Sequence, residues 1–219
     1  MTITLAKQDF LLLPEKALFH EASQSLICSD VHIGKTTDLL RSGIQVPMET
    51  AKANIMKLES LIERYRPVSF YVLGDLFHAR RNNEFDDFAE LLACHEDLQF
   101  ILVKGNHDFL PDSTYETLGL KVRRDAQLHG ILLTHEADNK VQHSISGHLH
   151  PKVKLRGKGR QSASLPIFAR TGNRLILPAF GRMTGGHFIQ PEDFDDIYLC
   201  AQEQVIRWEA KPERARNPI

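Results

Sequence analysis

Apolar runs rich in β-forming residues alternate with amphipathic helical segments through the first half of the chain. Runs at residues 68–73 and 100–104 are separated by a helical spacing of apolar residues over 84–97, and a longer helical pattern occupies 47–67. Strand, helix and strand in this order is the pattern of βαβ units, which build parallel sheets. Ligands of such sheets gather at the carboxyl ends of the strands. The alternation therefore predicts an α/β fold with its functional site at that edge.

Further strands are predicted on both sides of this alternation. The apolar runs that indicate them are residues 11–14, 17–19 and 25–28 before it, and residues 131–134, 144–146, 165–168, 175–177, 197–199 and 205–208 after it. Pro14-Glu15-Lys16 has the composition of a hairpin turn. Residues 33–46 are predicted to form a loop that leads to the long helix, and residues 111–118 a short helix. The later runs favour a second sheet that completes a sandwich, so we expect a single domain over 1–210 and a loose tail at 211–219.

Polar side chains of metal-binding types follow five of the predicted strands. The five motifs are Asp30-x-His32, Gly74-Asp75, Gly105-Asn106-His107-Asp108, His135 and Gly147-His148-x-His150. Asp30 and His32 are two positions apart, so on an extended segment they point to the same side. Each motif alone is compatible with ordinary turn residues, whereas five at successive strand ends indicate one shared site.

In this order, the five motifs resemble those of the binuclear metallophosphoesterase, or calcineurin-like, superfamily. The resemblance spans Asp30 to His150 and implies a four-layer α/β/β/α sandwich with two divalent metal ions. It also implies the ligands: Asp30, His32, Asp75 and His150 for the first ion, and Asp75, Asn106, His135 and His148 for the second. Asp75 would then bridge the ions and screen their repulsion. Nitrogen and oxygen ligands suit manganese, with iron or zinc as alternatives.

The resemblance also implies the reaction. Two divalent cations about 3.5–4 Å apart activate water and neutralise charge on a phosphodiester, so metal-dependent hydrolysis is expected. His107 would bind no metal but would donate a hydrogen bond or a proton to the phosphate or the leaving group, and Asp108 would orient it. His78 is near Asp75 in sequence, and both a role beside the ligands and a place on a surface loop stay open.

Basic residues occupy every second position after the last motif. They are Lys152, Lys154, Arg156, Lys158 and Arg160. On an extended strand these five cations lie on one side, beginning at the rim of the predicted site. A DNA backbone could follow such a row. The pattern is equally typical of an edge strand protected by lysines, and it does not decide between the two interpretations.

A narrower resemblance favours DNA. The basic run, together with the motifs at residues 165–166, 177–181 and 184–186, is similar to the bacterial ligase-associated DNA-damage-response endonucleases of the PdeM type. That resemblance implies an endonuclease or phosphodiesterase of DNA repair, with DNA as substrate and a DNA ligase and a helicase as partners.

Two other functions remain open from the sequence. One is a phosphodiesterase or phosphatase that acts on a small nucleotide or a phosphoprotein with the same metal centre. The other is a metal-bearing scaffold, against which His107 beside seven predicted ligands argues, because a scaffold needs no general acid. The formal net charge is −1, so a nucleic-acid surface would have to be local.

Cysteine usage and the N-terminus indicate the compartment. Cys28, Cys94 and Cys200 are far apart and match no metal-binding spacing, so free thiols are expected. No basic segment precedes an apolar core at the N-terminus, and no apolar run approaches about 18 residues. We therefore expect a soluble cytoplasmic protein.

Overall fold

Two β-sheets lie face to face in the computed structural model, which describes residues 1–47, 49–78, 83–138, 140–157 and 161–209. The first sheet contains β1 (Thr2–Leu5), β2 (Gln8–Leu13), β3 (Ala17–His20), β4 (Ser25–Cys28), β5 (Ser69–Leu73), β6 (Gln99–Val103) and β7 (Lys121–Arg123), in this spatial order. β1 to β4 are antiparallel neighbours, and β4 to β7 are parallel neighbours. The predicted βαβ units are therefore present from β4 onward.

The second sheet has nine strands. They are β8 (Ala126–Leu128), β9 (Ile131–Thr134), β10 (His143–Ser146), β11 (Pro151–Arg156), β12 (Ser162–Thr171), β13 (Asn173–Ile176), β14 (His187–Phe188), β15 (Asp196–Ala201) and β16 (Gln204–Arg207). The spatial order is β14-β11-β12-β13-β10-β9-β8, with β15 paired to β12 and to β16. β9, β10 and β13 run parallel, so their carboxyl ends reach one edge.

Helices cover the outer face of the first sheet. They are α2 (Glu49–Tyr65), α3 (Asn83–Ala93) and α4 (Asp112–Thr117), and the short α1 (Lys35–Arg41) lies beside α2. The predicted apolar faces of α2 and α3 are buried against this sheet, as Leu58 and Phe88 illustrate. The prediction of a loop over 33–46 was wrong in part, because α1 forms inside it. Backbone N–H groups at its first turn donate to a glutamate that is distant in sequence. Local sequence patterns do not reveal such a contact.

The two sheets share one apolar core. Inward-facing side chains of the first sheet, such as Phe10 and Leu73, belong to the same buried cluster as Ile145 and Phe168 of the second sheet. Alternation along each strand sends these residues to the shared interior. The packing holds the carboxyl ends of β5 and β10 on the same side of the sandwich.

The outer face of the second sheet is also buried, but by an irregular layer. Ile167 and Ile197 pack beneath Phe194 and Trp208, and the chain forms a 3-10 turn at Pro191–Asp193. Among the described residues, this layer contains no α-helix. The predicted α/β sandwich of two sheets is confirmed, and its fourth layer is built from this turn and the segments around it.

The sequence also led to predictions about the cysteines, membrane-spanning segments and the C-terminal tail. The three cysteines are free, as expected; Cys28 and Cys200 are buried, and Cys94 is exposed. No described helix is long and apolar enough to cross a membrane. The predicted tail at 211–219 lies outside the described residues, as do Lys158 and Arg160 of the basic row.

Candidate metal centre

The strand ends that carry the five motifs meet at one edge of the sandwich. The backbone N–H of Asp30 donates to Gly74 O over 3.1 Å, and that of His32 donates to Asp75 O over 2.9 Å, which joins the segments after β4 and β5. In the second sheet, Gly147 N donates to His135 O over 2.9 Å. These backbone hydrogen bonds, which involve no side chains, therefore help to position the motifs.

Two groups of predicted ligands converge at this edge. One potential ligand atom from each of Asp30, His32, Asp75 and His150 lies within 4.8 Å of the others. Asp75, His135 and His148 form a second group under the same limit. Asn106 joins the second group, because its Oδ1 lies 3.0 Å from His135 Nε2. Asp75 belongs to both groups, which is the geometry a bridging carboxylate requires.

Several buried polar atoms of the first group lack hydrogen-bond partners among the described residues. They are Asp30 Oδ1, both ring nitrogens of His32 and His150 Nε2. Asp30 Oδ1 and His150 Nε2 are 3.0 Å apart without the geometry of a hydrogen bond. Buried atoms of this kind are costly when unpaired. A divalent cation between them would satisfy all three side chains, so the residues fit a metal ion.

Burial and neighbouring groups set the charge states of the first group. Burial lowers the pKa of His32 to about 3, although Asp30 acts in the opposite direction. Burial alone would raise the pKa of Asp30, but His150 and the Ser29 hydroxyl outweigh it and leave this pKa below its usual value. At neutral pH, His32 is thus neutral and Asp30 is ionised. These are the states that bind metal.

The second group is held by hydrogen bonds and opens toward solvent. His135 Nδ1 donates to Leu73 O over 2.9 Å, so the lone pair lies on Nε2 and points into the group. That nitrogen is 3.1 Å from His148 Nδ1. Asn106 and His148 are exposed, whereas Asp75 and His135 are buried. A lone pair facing the Asn106 amide oxygen repels it unless a cation lies between them, which is the second sign of a metal site.

The backbone around the ligands adopts an uncommon conformation. Positive φ angles occur at Asp30 (55°), His32 (50°), Asp75 (52°), His148 (66°) and His150 (49°). For residues other than glycine this costs on the order of 1–3 kcal/mol each, and such residues cluster at functional sites. Five of the seven predicted ligands share this conformation, so the fold is strained to aim these side chains inward.

Close approach of the backbone explains the glycines that precede the ligands. A side chain at Gly74 would overlap the His135 ring and come within 2.8 Å of Gly105 Cα. A side chain at Gly147 would overlap the Ser29 hydroxyl and come within 2.6 Å of Asp30 Oδ2. Any larger residue would push the ligand-bearing segments apart.

His107 and Asp108 serve the same segment in different ways. His107 N donates to Asp75 Oδ1 over 2.9 Å, and its ring is partly exposed, with its centroid 5.7 Å from that of His32. Asp108 Oδ2 accepts from the backbone N–H of Asp75 and of Gly105, each over 2.8 Å.

The remaining oxygen of Asp108 accepts from Leu76 N over 3.1 Å. Burial raises the pKa of this carboxyl to about 6, against the effect of the Gly105 N–H. The family resemblance implies that Asp108 orients His107, but in the structure its oxygens accept from the backbone around Asp75 instead. The structure supports a positioning role toward Asp75, because the carboxylate ties the end of β5 to the end of β6.

His78 lies beside the predicted ligands. Its backbone N–H donates to Ile33 O over 2.9 Å, and its ring centroid is 5.4 Å from that of His32 and 6.0 Å from that of His107. His78 Nδ1 is buried and has no hydrogen-bond partner among the described residues. Of the two interpretations left open by the sequence, the structure favours a place beside the ligands.

Two positioning residues were not found by sequence reasoning. Glu84 of α3 accepts hydrogen bonds from the backbone N–H of Gly34, over 2.8 Å, and of Thr37, over 3.2 Å, which anchors the start of α1 after His32. Asn54 of α2 donates to Val31 O over 3.1 Å. A polar residue within the apolar pattern of a helix was the only local signal for Asn54.

Part of the basic row borders this site. Lys152 and Lys154 alternate along β11 with the buried Val153, and they pair with Pro166 and Ser164 of β12. They therefore lie on one face, as predicted. Arg156 is the last residue of β11, and its side chain lies outside the described part of the structure.

Comparison with known proteins agrees with this geometry. The sequence profile of the calcineurin-like phosphoesterases matches residues 24–198, which include both ligand groups. The chain belongs to the calcineurin-like phosphoesterase family. This phosphoesterase is an enzyme that hydrolyses phosphoester bonds, and the fold of its family uses a binuclear metal centre. A search of curated protein sequences found no significant match.

Among solved structures, the phosphoesterase is similar to Pseudomonas putida nuclease MPE. The TM-score is 0.78 at 28% sequence identity, and the match covers 94% of this chain and 99% of that one. A protein of unknown function from Aquifex aeolicus matches with a TM-score of 0.41 at 17% identity, covering 62% of this chain and 82% of that one. A predicted phosphoesterase from Streptococcus pneumoniae matches with a TM-score of 0.32 at 16% identity, covering 80% of each chain.

Proposed function

We propose that this phosphoesterase is a manganese-dependent phosphodiesterase that cleaves DNA. The observation that carries the proposal is the pair of ligand groups that share Asp75 beside the partly exposed His107. The similarity to Pseudomonas putida nuclease MPE supports a nuclease rather than another phosphoesterase. Mixed nitrogen and oxygen ligands suit manganese, as expected from the sequence.

Each residue has a distinct part in the proposed reaction. When bound, two divalent cations neutralise the phosphodiester and generate a nucleophile at neutral pH. Asp75 contributes its negative charge to both groups. Burial keeps His32 neutral, and the hydrogen bond to the Leu73 carbonyl directs Nε2 of His135 into the second group. His107 donates a hydrogen bond or a proton to the leaving oxygen. Its backbone N–H, bonded to Asp75 Oδ1, keeps it beside the shared ligand.

The basic face of β11 supports a polymeric substrate. Lys152 and Lys154 follow directly after His150 and point to one side of the strand. With a net charge of −1, such a local row is what a nucleic-acid path requires. We extend the proposal to a role in cytoplasmic DNA repair with a DNA ligase and a helicase as partners, on the basis of the resemblance to ligase-associated endonucleases. We also propose that residues 1–210 act as a single domain, since the two sheets share one core.

A substrate comparison tests the proposal. The purified protein is loaded with Mn²⁺ and incubated with single-stranded DNA, duplex DNA, a cyclic nucleotide and an aryl phosphodiester, with Asp75→Asn as the matched inactive control. We expect cleavage of DNA and of the aryl ester by the wild type alone. Preference for the cyclic nucleotide over both DNA substrates would contradict the proposal.

A further inference from the structure

A cleft next to His150 contains positive charge that the metal centre does not explain. Its volume is about 180 Å³, and its walls include Lys16, His150, Lys152, Arg182, Thr184 and Gly186. Thr184 and Gly186 belong to the sequence motif at residues 184–186, which contains none of the predicted metal ligands. The cleft therefore calls for its own explanation.

Three cations converge on the cleft without a carboxylate to balance them. Lys16 Nζ donates to Gly181 O over 3.1 Å, and Lys152 Nζ lies 4.4 Å from the centroid of the Phe188 ring. Within the described residues, neither lysine nor Arg182 forms an ion pair with Asp or Glu. Burial lowers the pKa of Lys16 to about 8, and Arg182 contributes to this shift. Gathering like charges is unfavourable, and a bound anion would relieve it.

A neutral donor adds to this charge. Thr184 Oγ1 is buried and has no hydrogen-bond partner in the described part of the chain. Gly186 lets its segment lie against the start of β11, because a side chain there would come within 2.8 Å of His150 O and 2.9 Å of Lys152 Cδ. Cations together with an unused hydroxyl are the groups that bind phosphate oxygens.

The cleft is attached to the metal centre through the backbone on two sides. On one side, Phe180 N donates to Ser29 O over 2.9 Å and Gly181 N to Asp30 O over 3.1 Å. On the other side, His187 N donates to His150 O over 3.0 Å. The cleft thus has a fixed position relative to the predicted ligands, as a subsite for the same substrate molecule requires.

We propose that this cleft binds the phosphate group adjacent to the scissile phosphodiester, held by Lys16, Arg182 and Thr184 with Lys152 at the entrance. The inference rests on the proposed function and makes it more specific: the enzyme recognises a phosphate on each side of one nucleoside. A substrate with a single phosphodiester would leave this subsite unused.

Small synthetic substrates test the inference. Thymidine 5′-(4-nitrophenyl phosphate) is compared with and without a 3′-phosphate, and thymidine 3′-(4-nitrophenyl phosphate) with and without a 5′-phosphate. We expect one of the two extra phosphates to raise kcat/KM by about 10- to 100-fold, the range given by charge-assisted hydrogen bonds. The pair of esters that shows the increase also reveals whether the subsite lies on the 3′ or the 5′ side of the nucleoside.

Variants connect the preference to the cleft. Lys16→Met should reduce the ratio of kcat/KM between the flanked and unflanked esters by about 10-fold, as should Arg182→Gln, and Thr184→Val should reduce it less. Lys121→Met, at an exposed lysine of β7, is the matched control and should keep the wild-type ratio. If Lys16→Met does not fold, as judged by thermal melting, the other two variants decide.

The outcomes separate the two proposals. Equal rates on all four esters, or a preference that survives Lys16→Met and Arg182→Gln, would overturn the subsite while DNA cleavage continued. Hydrolysis of the esters without any cleavage of DNA would overturn the proposed function, and the inference that rests on it.

Discussion

The two groups of predicted ligands share Asp75 but lie in different surroundings. In the first group, Asp30 and His32 are buried, and Asp30 Oδ1 and both ring nitrogens of His32 have no hydrogen-bond partner among the described residues. In the second, His135 is held by Leu73 O, and Asn106 and His148 face solvent. A cation in the first group relieves a desolvation cost, whereas one in the second remains accessible to substrate. We therefore expect the first ion to be bound tightly and the second to exchange.

The largest effect should come from the residue that both groups share. Asp75→Asn removes the negative charge common to both ions, so both should be lost. The loss of activity should far exceed the roughly 10- to 100-fold that outer hydrogen-bond partners contribute. Elemental analysis of the variant beside His148→Ala measures the difference. Retention of two ions per chain by Asp75→Asn would refute the bridging assignment.

His107 should affect turnover without affecting either ion. His107→Ala is expected to lower kcat by about 10²–10⁴, the usual contribution of general acid–base catalysis, at unchanged metal content. The loss should be smaller for a nitrophenyl diester, whose leaving group needs little protonation. Equal losses on this diester and on DNA would exclude His107 as the acid for the leaving group.

The burial of the first group should also appear in the pH dependence of stability without metal. The pKa of His32 is lowered from 6.5 to about 3 when folded, so below pH 6.5 the unfolded chain takes up a proton that the folded protein does not. The free energy of unfolding is therefore not reduced by His32 above pH 6.5, and it decreases as the pH falls from 6.5 toward 3.

Urea unfolding of the metal-free protein measures this contribution. Between pH 7.5 and pH 5, the wild type should lose about 1–2 kcal/mol more than His32→Gln, whose side chain does not titrate. Identical losses in the two proteins would show that the pKa of His32 is not lowered in the folded protein.

The smallest effect concerns the surface beyond both groups. Lys154→Ala should weaken DNA binding slightly and reduce the slope of log K against log salt by roughly 0.7–0.9, the value of one phosphate contact. Lys121→Ala, at an exposed position of β7, serves as the control. An unchanged slope in Lys154→Ala would favour the interpretation of β11 as a protected edge strand.

Strong periodicity made the longer elements predictable. α2 and α3 were recognisable from apolar faces that include Leu58 and Phe88, which the structure buries. The two-residue β14 and three-residue β7 are too short to show a period, and they were missed. α1 was missed because it is stabilised by Glu84, more than forty positions away, rather than by a local cap.

The site shows the same division between local and distant causes. Strand-end motifs identified every side chain in the two ligand groups, because each motif follows its strand directly. The backbone role of Asp108 and the cleft around Lys16 depend on contacts between distant segments. Patterns in the sequence do not show which segments contact each other, so these two features could be identified only from the structure.

Anomalous diffraction from crystals grown with Mn²⁺ tests the two-group arrangement most directly. We predict two peaks about 3.5–4 Å apart on either side of the Asp75 carboxylate. Brief soaking in a chelator should remove the peak beside Asn106 and His148 before the one beside Asp30 and His32. A single peak, or loss of the buried ion first, would contradict the account.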